Sequence, residues 1–191
     1  MKQAIAMLFA ISILGSTAGV AADISYDQVR LNYVSAEFDA GPSDVDGDGL
    51  ELSGSFSFAE SFFGFGKYSA LDLDFDLDAS MLEIGGGYHR PITAMLDFVA
   101  RAGYVRRDLD TPFGDADDDG ISLSGGVRGR MTDAIEVKAA LNYFAMDQGD
   151  NETEIEFAGD YFITERIALG AGLCLGDDLT TWTVGGRYNF Q

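Results

Sequence analysis

The sequence predicts an all-β fold: a closed, antiparallel, up-and-down transmembrane β-barrel of about ten strands, with eight the alternative. Three observations predict it. Apolar and polar residues alternate with a period of two from Ile24 to the end. The segments between the alternating runs are short at one end of the hairpins and longer and acidic at the other. The first 22 residues read as an export signal.

The signal begins with Met1-Lys2-Gln3, continues through apolar and small residues from Ala4 to Gly19, and ends in Val20-Ala21-Ala22. A short positive start, an apolar centre and small residues before a cleavage point are what the secretion machinery reads. Residues 1–22 are therefore expected to leave through the Sec pathway, and residues 23–191 to form one barrel domain. Crossing a bilayer as a helix needs about 20 consecutive apolar residues. The best uncharged run after the signal, 167–176, has ten and is half Gly and Ala. A strand crosses with about 9–11 residues.

Strands are expected near residues 25–38, 50–59, 62–71, 80–90, 95–106, 120–131, 135–146, 152–162, 167–176 and 180–190. Leu50, Leu52, Phe56 and Phe58 share a face opposite Glu51, Ser53, Ser55 and Ser57. Leu82, Ile84 and Tyr88 oppose Glu83, Gly85 and Gly87, and Val137, Leu141 and Tyr143 oppose Glu136, Lys138 and Asn142. In the third strand Phe63 and Phe65 fall in step with Lys67, so its phase is ambiguous. Longer acidic loops are expected at 39–49, 72–79 and 108–119.

Alternation does not say which face is inside. The polar faces decide it. Arg30, Arg101, Arg128, Arg130, Lys138 and Arg187 lie in phase with Glu51, Glu83, Asp97, Glu136, Glu154 and Glu156, and Ser and Gly fill much of the rest. Neutralised charges among small residues suit a narrow lumen, so these are expected lumen charges. Tyr26, Tyr33, Tyr104, Tyr143, Tyr188 and Trp182 are candidates for the aromatic girdles at the membrane interfaces.

Composition excludes some functions. Acids outnumber bases 32 to 12, for a formal charge of −20, and phosphate backbones require a basic patch, so no nucleic acid is expected. The single cysteine, Cys174, allows no internal disulfide and no multi-cysteine metal site. The one histidine, His89, stands beside Arg90-Pro91 without a nucleophile in the pattern, so no enzymatic activity is expected. The motif D-x-D-x-D-G occurs twice, at Asp44, Asp46, Asp48 and at Asp115, Asp117, Asp119. Alternate carboxylates around a Gly turn can wrap a hard cation, which makes these six the candidate ligands of a weak Ca²⁺ site in the outer loops; the plainer reading is a solvated turn. The twelfth positions are Ser55 and Gly126 rather than Glu, so neither run is a complete EF-hand loop. No other cofactor is expected.

Thr183, Gly185, Tyr188 and Phe190 space a polar residue, a Gly and two alternating aromatics in a pattern that resembles the signal read by the barrel-assembly machinery, although Gln191 follows the final aromatic. More broadly, the chain resembles the small outer-membrane barrels typified by OmpA and OmpX. It is most similar to a family of small barrels once put forward as a secreted activator of plant immunity. That match is carried by Ala22-Asp23-Ile24-Ser25-Tyr26, the acidic run 72–78 with Leu82-Glu83-Ile84-Gly85-Gly86-Gly87-Tyr88, Asp97-Phe98-Val99-Ala100-Arg101, and residues 182–190. The resemblance spans nearly the whole chain, implies an outer-membrane barrel, and transfers no catalytic residue. The expected role is structural or surface-interacting within the Gram-negative envelope. Expected partners are outer-membrane lipid, lipopolysaccharide, periplasmic chaperones and the assembly machinery, around a monomer. A narrow channel is the alternative; an outer-membrane enzyme and a soluble periplasmic barrel with an apolar ligand are further rivals.

Overall fold

The computed structural model describes residues 24–39, 44–74, 77–112 and 114–190, with the backbone alone at Asp44. The expected export signal lies outside the described residues. Ten strands follow in order: β1 (Gln28–Asp39), β2 (Asp44–Ala59), β3 (Phe62–Leu73), β4 (Leu77–Thr93), β5 (Leu96–Thr111), β6 (Gly114–Thr132), β7 (Ile135–Met146), β8 (Glu152–Phe162), β9 (Ile167–Leu175) and β10 (Leu179–Asn189). Each pairs antiparallel with its sequence neighbours. β10 returns to β1 in unbroken register from Gln28↔Asn189 to Phe38↔Leu179, so the sheet has no free edge. The barrel is the ten-stranded form rather than the eight-stranded one.

The alternation read from sequence sorts the side chains. Along β1, Leu31 and Tyr33 are 55% and 49% exposed, whereas Asn32 and Val34 are 5% and 4% exposed. Phe56, Phe58, Ile84, Leu123, Leu141, Leu169 and Val184 all lie exposed on the outer face. Lumen positions instead carry buried polar groups: Glu83, Asp97, Arg128, Glu136, Asp160 and Arg187. The third strand takes the phase that its sequence left open. Phe63 is buried and Phe65 half-buried on the lumen side with Lys67, while Phe62 and Tyr68 face out.

Two expectations need correction. The acidic segments read as loops are mostly strand. Pairing continues to Asp39↔Asp44, Leu73↔Leu77 and Thr111↔Gly114, leaving hairpin tips of only a few residues. Period two persists through these segments because acid alternates with apolar or small residues, and an antiparallel ladder satisfies the backbone wherever it can continue. The second correction is Tyr26, expected in an aromatic girdle. It is 5% exposed inside the lumen, where its hydroxyl donates to Asp97 Oδ2 at 2.9 Å.

At the short-turn end, register shifts fall at Ser57/Ala59, Pro91/Thr93 and Arg130/Thr132, each next to a turn. Pro91 sits at one of them, where a missing N–H does least harm to the ladder.

Candidate functional site

The lumen holds the chain's chemistry, and Arg187 organises its lower half. β10 aims Arg187 inward because the position follows Thr183 and Gly185 at period two. Its Nη1 lies 2.6 Å from Glu136 Oε1 and 2.8 Å from Asp160 Oδ2, and its Nε donates to Asn189 Oδ1 at 3.0 Å. Two more guanidinium groups complete the cluster. Arg128 Nε donates to Glu136 Oε1 at 2.7 Å, and Arg30 Nη2 meets Asp160 at 2.6 Å. Three cations thus share two carboxylates, all of them largely withdrawn from water. Such a cluster is stable only where nearly every donor has a partner. Gln28 takes a further bond from Arg128 at 3.1 Å, and the Phe162 ring lies 4.7 Å from the Arg187 guanidinium carbon.

Nearer the short-turn rim, aromatic rings fill the bore. Tyr26 stacks on His89 at 3.9 Å between centroids and on Phe63 at 4.8 Å. Arg128 lies over the Tyr26 ring at 4.9 Å, and His89 Nδ1 is 3.5 Å from Asp97. Arg130 covers Phe162 at 4.1 Å and donates to the Asp133 carbonyl. His89 is therefore a wall residue of this stack.

Midway up, a second network is looser. Lys138 Nζ meets Glu156 at 2.6 Å, Arg101 approaches the same carboxylate at 3.8 Å, and Lys67 lies 3.6 Å from Glu83. Ser122 donates to Glu83 at 2.6 Å, Asn32 donates to Glu51 at 2.9 Å, and the Cys174 thiol donates to Glu154 at 3.1 Å. The structure places all twelve of the lumen charges singled out from sequence on the inner wall. It adds Lys67, hidden by its strand's ambiguous phase, and Asp160, which shares a period with Glu154 and Glu156 but was not singled out.

The six motif aspartates are drawn out along strands rather than gathered. Asp46 and Asp48 project outward from β2, and Asp115, Asp117 and Asp119 do so from β6, with Asp119 accepting the Tyr104 hydroxyl. The side chain of Asp44 lies outside the described residues. Among the described residues no three His, Cys, Asp or Glu converge as a metal site would require. Of the assembly-signal residues, Thr183 and Gly185 face the lumen, while Tyr188 and Phe190 pack edge to face outside, 5.7 Å apart.

Above the lower cluster lies a cavity of about 1280 Å³. Its lining reaches from Asp150, Asp177 and Asp178 at the acidic end down to Tyr26, Phe63, Arg128, Glu136 and Arg187. His89, Asp97, Arg130, Phe162 and Asn189, beneath that layer, do not line it. The cavity thus runs from the acidic end of the lumen down to the Arg187 cluster, with the aromatic stack beyond it toward the short-turn end.

No protein-family model matches the chain, and no curated protein sequence matches it. Solved structures resemble it in fold. The β domain of the Bordetella autotransporter BrkA superposes with a TM-score of 0.52 at 14% identity, over 87% of this chain and 100% of that one. The outer membrane protein OprG from Pseudomonas aeruginosa gives 0.48 at 12% identity, over 91% and 100%. Ail, the attachment invasion locus protein of Yersinia pestis, gives 0.43 at 13% identity, over 86% and 99%. What is shared with the BrkA β domain is the fold.

Proposed function

We propose that the chain is a non-enzymatic outer-membrane barrel of the cell envelope, sealed against diffusion and presenting an acidic exterior to its surroundings. The observation that carries this reading is the cluster of side chains packed across the lower lumen. Arg187, Glu136, Asp160, Arg30 and Arg128 are bonded across the bore, and the Tyr26–His89–Phe63 stack lies beside them.

Membrane placement is supported by the outer surface. A contiguous apolar face of this size does not stay in water on a monomer. It ends at Tyr33, Tyr68, Tyr104, Tyr143 and Trp182, beyond which the outward positions become charged within two steps. Phe56, Phe58, Phe62, Tyr88, Tyr188 and Phe190 form the opposite edge. Closure fits a solvent that offers the backbone no partner. In this reading both termini are periplasmic, the chain leaves through Sec, and chaperones and the assembly machinery deliver it as a monomer. The outward aspartates meet divalent cations, Ca²⁺ among them, that bridge to lipopolysaccharide phosphates. Kinship with the plant-immunity family is part of the same proposal and rests on the residues quoted above.

Conductance in planar bilayers tests the seal. A silent wild-type barrel is expected, and single-channel steps from the folded protein would replace this reading with the narrow channel. The channel reading has one observation in its favour: the cavity runs unbroken from the mouth to the Arg187 cluster.

A further inference from the structure

Beyond the outer tyrosine ring the alternation keeps its period but changes its chemistry. Below the ring, apolar residues face out and polar residues face in. Above it, on the half of the mouth built by β1 to β5, acidic residues take many of the outward positions and apolar residues many of the inward ones, with Arg106 and Arg107 on β5 among the exceptions. Phe38, Val45, Leu71, Leu73, Leu77 and Leu109 all line the cavity, while Glu37, Asp46, Asp72, Asp74, Asp78 and Asp110 are exposed on the other side of the same strands.

The other half of the mouth is different. Asp150, Glu154, Asp177 and Asp178 line the same cavity from the ends of β8, β9 and β10. Asp118 accepts the backbone N–H groups of Gln148 and Gly149 at 3.0 and 2.7 Å, which anchors the turn that carries Asp150. Among the described residues no Lys, Arg or His pairs with Asp150, Asp177 or Asp178. Arg107, which also lines the cavity, is already held by both oxygens of Glu152 at 2.6 and 2.8 Å.

A concave apolar wall facing unpaired carboxylates across an open cavity is a binding site with a defined polarity. We propose that the vestibule binds a small cationic amphiphile, its apolar body against Leu71, Leu73 and Leu77 and its ammonium or guanidinium group toward Asp150, Asp177 and Asp178. An anionic or purely apolar ligand would leave the carboxylates unpaired or repelled. The acidic exterior adds long-range attraction for the same sign of charge. The inference rests on the proposed orientation, with this mouth outward, and does not require the lumen to be sealed.

The test uses the full barrel in phosphatidylcholine nanodiscs, free of detergent and lipopolysaccharide, with dansylcadaverine as the cationic probe. Its anionic analogue, dansyl-6-aminohexanoate, carries the same apolar group. Wild-type barrel should give saturable, blue-shifted emission with the cation, and binding of the anion should be weaker by about tenfold or more. Leu73→Asp with Leu77→Asp should abolish the saturable signal. Asp150→Asn with Asp177→Asn and Asp178→Asn should weaken it about tenfold and flatten its salt dependence. Equal binding of both probes by wild type overturns the proposal, and that comparison needs no variant to fold. Unchanged binding by a folded Leu73→Asp, Leu77→Asp barrel overturns it too. Conductance of the wild type, with probe selectivity intact, would sink the sealed-barrel reading and leave the vestibule standing.

Discussion

Arg187 and Glu136 stand 51 residues apart in the chain and meet at 2.6 Å, with side chains 1% and 3% exposed. Removing one member of a buried pair leaves its partner charged and uncompensated, which costs about 3–5 kcal/mol. Arg187→Met and Glu136→Gln are each expected to lower the unfolding free energy by about that amount. The double variant should lose less than the two losses added, since neither change then strands the other's charge. Denaturant titration in lipid vesicles, read by gel mobility before boiling, measures all three. Single losses below about 1 kcal/mol would mean that the cluster is solvated rather than buried.

Facing is tested independently by charge placed on either side of the tyrosine ring. Ile84 is outward and 50% exposed within the apolar belt. Arg on the lipid face of a barrel costs about 2–4 kcal/mol near the bilayer midplane. Ile84→Arg is therefore expected to lose stability in that range, whereas Asp46→Arg, outside the belt, should change it by less than about 0.5 kcal/mol. Equal effects from the two would contradict a hydrocarbon-facing belt.

Much of the fold was legible because period two is a local property. Leu50 against Glu51, or Leu141 against Asn142, declares a strand and its two faces without reference to any other strand. Where a face carries the unusual chemistry, the local signal misleads. Phe63 and Phe65 look like lipid-facing residues, yet they fill the bore beside Lys67. Tyr26 stands before the first clean alternation, so nothing local fixed its side, and it lies in the lumen stack. Acid-rich runs such as 44–49 carry turn composition, but composition does not forbid an extended ladder when each acid can point to solvent. The partners of the lumen charges were not legible. Which carboxylate meets Arg187 depends on the shear that brings β7 and β8 opposite β10, and shear is a property of the closed sheet rather than of any strand.

The seam between β1 and β10 makes one glycine indispensable. A Cβ on Gly185 would run into the Leu31 carbonyl and Asn32 on the adjoining strand. No side-chain rotation relieves contact with backbone, so Gly185→Val is expected to hold the last strand away from the first. An unclosed edge has no partner in lipid. The variant should migrate on unboiled gels as unfolded protein, while Gly186→Ala, whose added Cβ meets no atom closer than 4.0 Å, should keep the fast-migrating folded band. A folded band for Gly185→Val would show that the seam can part or shift without loss of the barrel.

The proposed seal is tested at Tyr26. Its ring occupies the bore between His89, Phe63 and the Arg128 guanidinium, and its hydroxyl tethers it to Asp97. Tyr26→Phe keeps the ring and loses one hydrogen bond to a charged acceptor, worth about 1.5–3 kcal/mol, so it should be less stable yet still silent in planar bilayers. Tyr26→Ala removes the ring and leaves Arg128 and Asp97 facing an enlarged gap that water can enter. Discrete conductance steps are expected from Tyr26→Ala. Should folded Tyr26→Ala remain silent, the aromatic stack has no part in closing the lumen, and the Arg187 cluster alone does so.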